Sequence, residues 1–416
     1  MAKASLCPPG SDNTFGPRVN SSCRAFDFTL LFEDAFFSVL PTSLFLIVVL
    51  PRLQFLRSAP VKLASYRLAV WKLSLLVILF ALQVVFTALQ TTTSAIHTKL
   101  SLASGLLDII ATFSAAVLSF AEDQRTVRPS DVLVIYFSAA SILYIPRLRT
   151  LWLIPCITAC KSLWTAIYVF TLAILIVESA RKTKFLRRLH QNVTPEQSGG
   201  FWSQSLFIWV LPFFHQGYLK HLQLSDIPEV DESLAGYTAG QKLQTAWDIT
   251  TADRRLLFAT FRAYRWSFLS GIPPRLALTA FTFAQPFLIT TLVDWMGATA
   301  APANYGPALI GAVVLVYSGL AVSTAIYWRQ RYRFITAIRA GLVSIIYAAT
   351  TGSKSVQAKD MAAITLMDTD VERIASDFRF VHEIWASALE VGIALWLLEL
   401  QVSVACLVPA VICLGD

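Results

Sequence analysis

The sequence predicts an all-α integral membrane protein in which two groups of lipid-spanning helices are separated by a polar linker. Of its 416 residues, 56% are hydrophobic and 14% are charged, whereas an ordinary soluble domain has about 25% charged residues. Several apolar runs also reach the roughly 20 residues that a helix needs to cross a bilayer. Together these observations argue against a soluble globular protein.

The apolar runs predict the order of the spans along the chain. Eight runs are long enough, at about residues 29–50, 68–90, 100–120, 131–150, 153–178, 267–296, 307–328 and 378–400. The first five are joined by short loops and are predicted to form one bundle. The last three follow the linker. A further apolar run, from Val402 to Leu414, is too short to cross a bilayer within this sequence.

The positions of the basic residues predict the orientation. The net charge is +8, and basic side chains gather between spans one and two and after span five: Arg52, Arg57, Lys62, Arg67, Arg181, Lys182, Lys184, Arg187 and Arg188. Because cytosolic loops are enriched in Lys and Arg, we expect the N-terminus outside and the linker in the cytosol. Arg147 and Arg149, assigned to a short outer loop, count against this orientation. The same distribution argues against nucleic acid as a partner.

Residues 1–27 form a polar N-terminal tail. The tail lacks the basic start and short apolar core of a cleaved signal peptide, so the first span is expected to direct insertion. Asn20 begins an Asn-Ser-Ser sequon on the side expected to be outside, and is a possible glycosylation site. Cys7 and Cys23 flank it and form either a disulfide or two free thiols. The histidines and cysteines do not have metal-ligand spacing, so no metal site is predicted.

The linker, residues 179–265, begins with basic residues and ends with acidic ones. Between them lies FWSQSLFIWVLPFF, residues 201–214, which is strongly aromatic, too short to span a bilayer and interrupted by Pro212. Aromatic rings prefer the headgroup level of a membrane, so this stretch predicts an interfacial helix along the inner surface.

After the linker, the apolar period of span seven continues past Arg329, Arg331, Arg333 and Arg339, which predicts a helix that extends into the cytosol. At its far end lies ITLMDTDVERI, residues 364–374. Its apolar residues recur with roughly helical spacing and leave an acidic face, so the stretch predicts a short amphipathic helix. This is either a solvated loop or a docking helix for a partner domain. Its candidate contact residues are Leu366, Met367, Asp368, Asp370, Glu372 and Arg373.

These segments resemble the C subfamily of ABC exporters, the multidrug-resistance-associated type, and particularly its fungal members. LMDTDVERI followed by WASALEVGIALWLL looks like the intracellular coupling loop of that subfamily. FWSQSLFIWVLPFFHQGYLKHLQLSDIPEVDE is similar to its lasso linker, FDFTLLFEDAFFSVLP fits the start of its accessory domain, and YWRQRYRFITAIRAGLVSIIY fits the inner end of its second core helix. The resemblance extends over essentially the whole chain.

The resemblance implies four regions. After the tail, residues 28–178 would be a five-helix accessory transmembrane domain and residues 179–265 a cytosolic lasso linker. Residues 266–416 would be the first helices of a type-1 ABC transmembrane domain, cut short within this sequence, with a coupling helix near residues 360–376. The membrane would be the plasma membrane or the vacuolar membrane.

The family further implies ATP-driven export of amphipathic or anionic organic compounds by alternating access. ATP and Mg²⁺ would bind to nucleotide-binding domains, which together with further transmembrane helices are the implied partners. The sequence carries no GxxxxGK[ST] phosphate loop, and TGSKS at residues 351–355 lacks the required spacing. No catalytic residue is therefore predicted, and ATP hydrolysis by this chain alone is not expected.

The first helix after the linker bears on the substrate. Family members specialised for glutathione conjugates have a basic residue about one turn after its proline, whereas Thr290 follows Pro286 here. Arg275 is expected either to contact an anionic substrate or to reach the lipid headgroups. Further candidates for a substrate cavity, each with packing as the alternative, are Phe283, Gln285, Phe287, Thr290 and Trp385.

Two further expectations concern the first five spans. Asp108 is interpreted as the only acid well inside this bundle, where it is expected to hydrogen-bond to a neighbouring helix. A second functional hypothesis is a regulatory membrane module that binds a partner transporter or channel through the bundle and the linker. Co-purification with a partner after deletion of residues 267–416 would favour this module, and ATP-dependent uptake would oppose it.

Overall fold

The computed structural model describes residues 11–16, 18–19, 24, 26–61, 67–93, 96–154, 157–182, 194–250, 255–298, 304–352 and 364–402. Over these residues the regular structure is helical, apart from one isolated bridge between Arg18 and Phe28. The chain divides into two compact units. The first comprises Met1–Pro228 with Ala298–Ala308, and the second comprises Glu229–Gly297 with Leu309–Asp416.

The first unit contains the five helices predicted for the bundle. They are α1 (Leu30–Arg57), α2 (Arg67–Thr92), α3 (Ser101–Arg125), α4 (Asp131–Leu153) and α5 (Thr158–Ser179). Two of them begin at hydroxyl caps: Thr29 Oγ1 accepts from the Phe32 N–H, and Ser130 Oγ accepts from the Leu133 N–H, each at 3.3 Å. Such caps satisfy backbone N–H groups that have no partner within the helix.

The bundle is held by an apolar core to which all five helices contribute. Phe45 of α1 stacks on Tyr136 of α4 with ring centroids 4.1 Å apart. Leu76, Leu118 and Trp164, from α2, α3 and α5, are at most 3% exposed. Apolar side chains on the outer surface remain uncovered, as expected for helices surrounded by lipid.

The first half of the linker lies in the first unit and forms three short helices, α6 (Pro195–Ser198), α7 (Phe201–Ser205) and α8 (Leu211–Leu219). The prediction of one interfacial helix over residues 201–214 is therefore wrong. The helix breaks at Phe207, whose φ is 55°, and restarts with Pro212 in the first turn of α8, where a missing N–H has no consequence. Trp202 Nε1 donates to Ser138 Oγ of α4 at 2.9 Å.

The second unit begins with α9 (Gly236–Ile249) and α10 (Arg255–Leu269), followed by α11 (Ile272–Gly297), α12 (Tyr305–Thr351) and α13 (Leu366–Leu400). With these, eight described helices are long and apolar enough to cross a membrane, and the predicted all-α class and eight spans are confirmed. Helix α12 has 47 residues, or roughly 70 Å at 1.5 Å per residue. This length exceeds the roughly 30 Å of a bilayer core, as the sequence predicts for a helix that continues beyond its span.

Helix α13 corrects the prediction of a separate coupling helix before span eight. Residues 366–370 form a wide helical turn, Val371–Asp377 are α-helical, and one tight turn leads into Val381–Val402. The segment is therefore the first part of the helix that contains span eight. Residues 366–381 contain no glycine or proline, so no residue ends the helix between the segment and the span. Residues 360–363 of the predicted coupling region lie outside the described residues.

The core of the second unit lies where α9, α10, α12 and the start of α13 meet. Tyr264 of α10 is buried and donates from its hydroxyl to the Ala239 carbonyl of α9 at 2.9 Å. Burial raises the pKa of Tyr264, so the hydroxyl stays protonated. Gly341 of α12 allows this approach, because a Cβ there would lie 2.0 Å from the Tyr264 oxygen.

Candidate functional site

The first candidate site is the coupling segment, residues 364–374. Four of its charged side chains are exposed: Asp368, Asp370, Glu372 and Arg373. Ile364 and Leu366 are also exposed, at 60% and 45%, and Met367 is half-buried. The segment thus presents an apolar ridge beside an acidic surface. A docking helix needs both features, one for contact area and the other for orientation.

The inner side of the coupling segment is fixed to α12. Val371 is 2% exposed and packs in the core of the second unit with Phe334 and Ile338. Arg339 and Glu372 also pair at 3.0 Å, but each is at least half exposed, and such surface pairs contribute little. The segment is therefore held against α12 mainly by the apolar contact.

The second half of the linker contacts the same stretch of α12. Arg333 Nη2 lies 2.7 Å from Asp231 Oδ2 and 3.0 Å from the Ser233 hydroxyl. A groove of about 600 Å³ lies between Tyr237 of α9 and Tyr347 of α12. The linker and the coupling segment thus hold neighbouring turns of one helix.

The second candidate site is a set of charges shared by α11, α12 and α13. Arg275 donates to Glu390 Oε1 at 2.7 Å and to Glu383 Oε2 at 3.0 Å. The Thr279 hydroxyl donates to the same oxygen of Glu390 at 2.7 Å. Arg275 was expected to contact a substrate or reach a lipid headgroup, whereas the structure engages it with two carboxylates of its own chain.

Glu383 joins this set to α12. It accepts from the Tyr327 hydroxyl at 2.6 Å, and Arg331 lies 3.5 Å away. The Arg331 guanidinium also lies 4.5 Å above the Trp328 ring. Glu390 was missed by the sequence reasoning. Its position two helical turns after Glu383 is the signal that could have found it, because residues seven apart share one face of a helix.

The predicted cavity residues lie on α11 and α13. Phe283, Gln285 and Trp385 are half-buried, and Phe287 and Thr290 are exposed. The Thr290 hydroxyl donates to the Pro286 carbonyl at 3.1 Å, and Trp385 Nε1 donates to His382 Nδ1 at 3.2 Å. These contacts lie within single helices, so a role in a substrate cavity stays a prediction.

In the first unit, the expected structural hydrogen bond of Asp108 is confirmed. It accepts from the hydroxyls of Ser38 and Thr42 of α1, each at 3.0 Å. The statement that Asp108 is the only acid well inside the bundle is wrong. Other acids in the five helices are also at most 2% exposed: Glu33, Asp34, Glu122, Asp123 and Glu178. Glu33, Asp34 and Glu178 fall inside predicted spans one and five, and Glu122 and Asp123 directly follow predicted span three.

The assignment of Arg147 and Arg149 to an outer loop is also wrong, because α4 extends to Leu153. Arg147 is 4% exposed, pairs with Asp34 at 2.6 Å and lies 4.7 Å above the Trp164 ring. The arginine is thus compensated inside the bundle and carries no information on the orientation of a loop.

A second buried set of charges joins α2, α3 and α5 to the start of the linker. Lys72 lies 3.0 Å from Asp123 and 2.7 Å from Glu178, and Lys182 lies 2.6 Å from Asp123. The Ser119 hydroxyl also donates to Glu178. Burial lowers the pKa of Lys182, and the Asp123 carboxylate opposes this shift. Two cations and two anions therefore balance within the bundle.

Some predicted sites lie outside the described residues, namely Asn20, Cys7 and Cys23. Among the residues that are described, no group of three or more His, Cys, Asp or Glu side chains is close enough to hold a metal ion.

Comparison with known proteins identifies relatives of both units. Residues 6–162 match the family described as the ABC transporter TMD0 domain. An ABC-type transporter of Gibberella zeae is 36% identical over 403 residues, which are 96% of this chain and 28% of that protein. ABC transporter atnG of Emericella nidulans is 33% identical over 419 residues, and ABC multidrug transporter B of Aspergillus fumigatus is 33% identical over 398. The matches to these two cover 99% and 93% of this chain but 27% of each of those proteins.

Proposed function

This chain belongs to the ABC transporters that carry a TMD0 domain, and we propose that it serves an ATP-driven exporter of amphipathic or anionic organic compounds. It is an integral membrane protein with multiple spans. In this proposal the first unit is the accessory domain, and the second unit supplies the linker end, the first core helices and the coupling segment. The match to a protein named ABC multidrug transporter B in Aspergillus fumigatus supports export of drug-like compounds.

The burial of Val371 carries the mechanism that we propose. ATP and Mg²⁺ bind to nucleotide-binding domains outside this sequence, and these domains dock on the exposed ridge and acidic surface of residues 364–374. Because Val371 packs against α12, a push on the segment moves α12 and α13 together. The two long helices carry this motion to the membrane, where access alternates between the two sides.

The same proposal places the coupling segment and the linker in the cytosol and the N-terminus outside. The basic residues after α5 support this orientation. We propose the plasma membrane or the vacuolar membrane as the location, since both receive exported organic compounds.

The test uses the product of the complete transcript in inside-out membrane vesicles. Asp370→Asn combined with Glu372→Gln removes charge from the docking surface, and Asp377→Asn is the matched control on the exposed side of the same helix. We expect the double variant to lower ATP-dependent uptake of a fluorescent amphiphilic dye about tenfold, a usual size for coupling between sites. The control should transport like the wild type.

Two results would contradict the proposal. One is a wild-type protein without ATP-dependent uptake of either anionic or uncharged amphiphilic dyes. The other is a double variant that transports as well as Asp377→Asn at equal protein level, because docking would then not use the acidic surface.

A further inference from the structure

The charges shared by α11, α12 and α13 form a balanced set inside the second unit. We name it the neutral cluster, and it consists of Arg275, Arg331, Glu383 and Glu390. Both arginine side chains are 7% exposed. The two glutamates are more open, with side chains 33% and 31% exposed. The carboxylates are therefore the charged groups of this cluster that a molecule beside α13 would meet first.

Both terminal nitrogens of Arg275 already donate to carboxylates, so neither is free to bind an incoming anion. Arg275 directs Nη1 at Glu390 and Nη2 at Glu383. An organic anion can reach these nitrogens only by displacing one carboxylate, which would then lie partly buried without its counter-ion. Such an exchange replaces one ion pair by another and adds a desolvated charge, so it is unfavourable.

From this geometry we infer that Glu383 and Glu390 are specificity-determining residues that exclude organic anions from this part of the second unit and favour uncharged amphiphiles. The inference rests on the proposed function and narrows its substrate class. Charge balance, rather than the shape of any one side chain, carries the selectivity.

The experiment measures equilibrium binding to the purified product of the complete transcript in detergent without nucleotide. The probes are a boron-dipyrromethene dye with a carboxylate and the same dye as its methylamide, and the readout is the ratio of their Kd values. Glu390→Gln keeps an oxygen acceptor for Arg275 but removes one negative charge. Glu399→Gln is the matched control, since Glu399 is exposed on the same helix.

In the wild type we expect the methylamide to bind more tightly. Glu390→Gln should change the ratio of the two Kd values about tenfold in favour of binding of the carboxylate dye. This change corresponds to ~1.4 kcal/mol. Glu399→Gln should leave the ratio unchanged. The double variant Arg275→Gln with Glu390→Gln restores a balanced pair, Arg331 and Glu383, and should return the ratio to within about twofold of the wild type.

An unchanged Kd ratio in Glu390→Gln would overturn the inference. A shift of the same size in Glu399→Gln would also overturn it, as would the absence of binding of either dye to any form of the protein. Failure of the double variant to restore the ratio would show that the effect is not charge balance. The proposed function fails separately: it is contradicted when the binding shift is present but vesicles show no ATP-dependent uptake of either dye.

Discussion

Replacing Lys72 by methionine removes the cation at the centre of the buried charge set of the first unit. The Lys72 side chain is 1% exposed and lies between Asp123 and Glu178, which are 2% and 1% exposed. Methionine matches the length of the stem but not the charge. The set then keeps two carboxylates and one cation, Lys182, so one negative charge is buried without compensation.

The expected loss follows from this imbalance. Removal of one partner from a buried ion pair costs about 3–5 kcal/mol. For a unit of about 240 residues each kcal/mol shifts the melting temperature by about 2–4 °C, so Lys72→Met should lower it by roughly 10 °C. Arg67→Met is the matched control, because Arg67 is exposed at the start of the same helix and its loss should shift the midpoint by less than about 2 °C.

The assay heats a fluorescent fusion of each variant in detergent and measures the monodisperse fraction by size-exclusion chromatography. The double variant Lys72→Met with Glu178→Gln restores charge balance and should recover at least half of the loss. Equal midpoints for Lys72→Met and Arg67→Met would refute the reasoning. A full loss that Glu178→Gln does not relieve would show that packing, not charge, is responsible.

Two further predictions concern the second unit. Gly341→Ala places a Cβ against the Tyr264 hydroxyl and should destabilise the unit by about 1–3 kcal/mol, measured in the same heating assay. Gly311→Ala is the control and should not destabilise it, because no atom lies within 4 Å of the added Cβ. Arg333→Gln breaks the pair with Asp231 and should speed proteolytic cleavage of the linker about fivefold in limited digestion; an unchanged cleavage rate would contradict it.

The spans could be predicted because hydropathy is a local signal. A window of about 20 apolar residues identifies a lipid-spanning helix without knowledge of its neighbours. Buried ion pairs are not local: Lys72 and Glu178 are 106 positions apart, and Arg147 and Asp34 are 113 apart. The partner of each of these charges lies on another helix, so it cannot be found in the same window.

The coupling segment shows a different limit. Its acidic residues suggested a separate helix, and its exposed surface does carry those charges. Val371 is buried in the core of the second unit, and the Phe378 ring lies 5.9 Å from that of Phe334 on α12. These contacts bury the inner side of α13 from its first turns. A sequence pattern shows which residues share a face but not that the face is already occupied by α12.

The two balanced charge sets differ in a way that separates structural from functional roles. In the first unit the Lys72 set is closed, with side chains at most 2% exposed, so no solute reaches it and its effect is confined to stability. In the second unit both glutamates are about one-third exposed while Arg275 is not. Burying a charge in a bilayer is costly unless it is compensated, and an open carboxylate makes that compensation exchangeable. Our proposal that the neutral cluster discriminates by substrate charge therefore rests on the partial exposure of its carboxylates, and not merely on the presence of charge in a span.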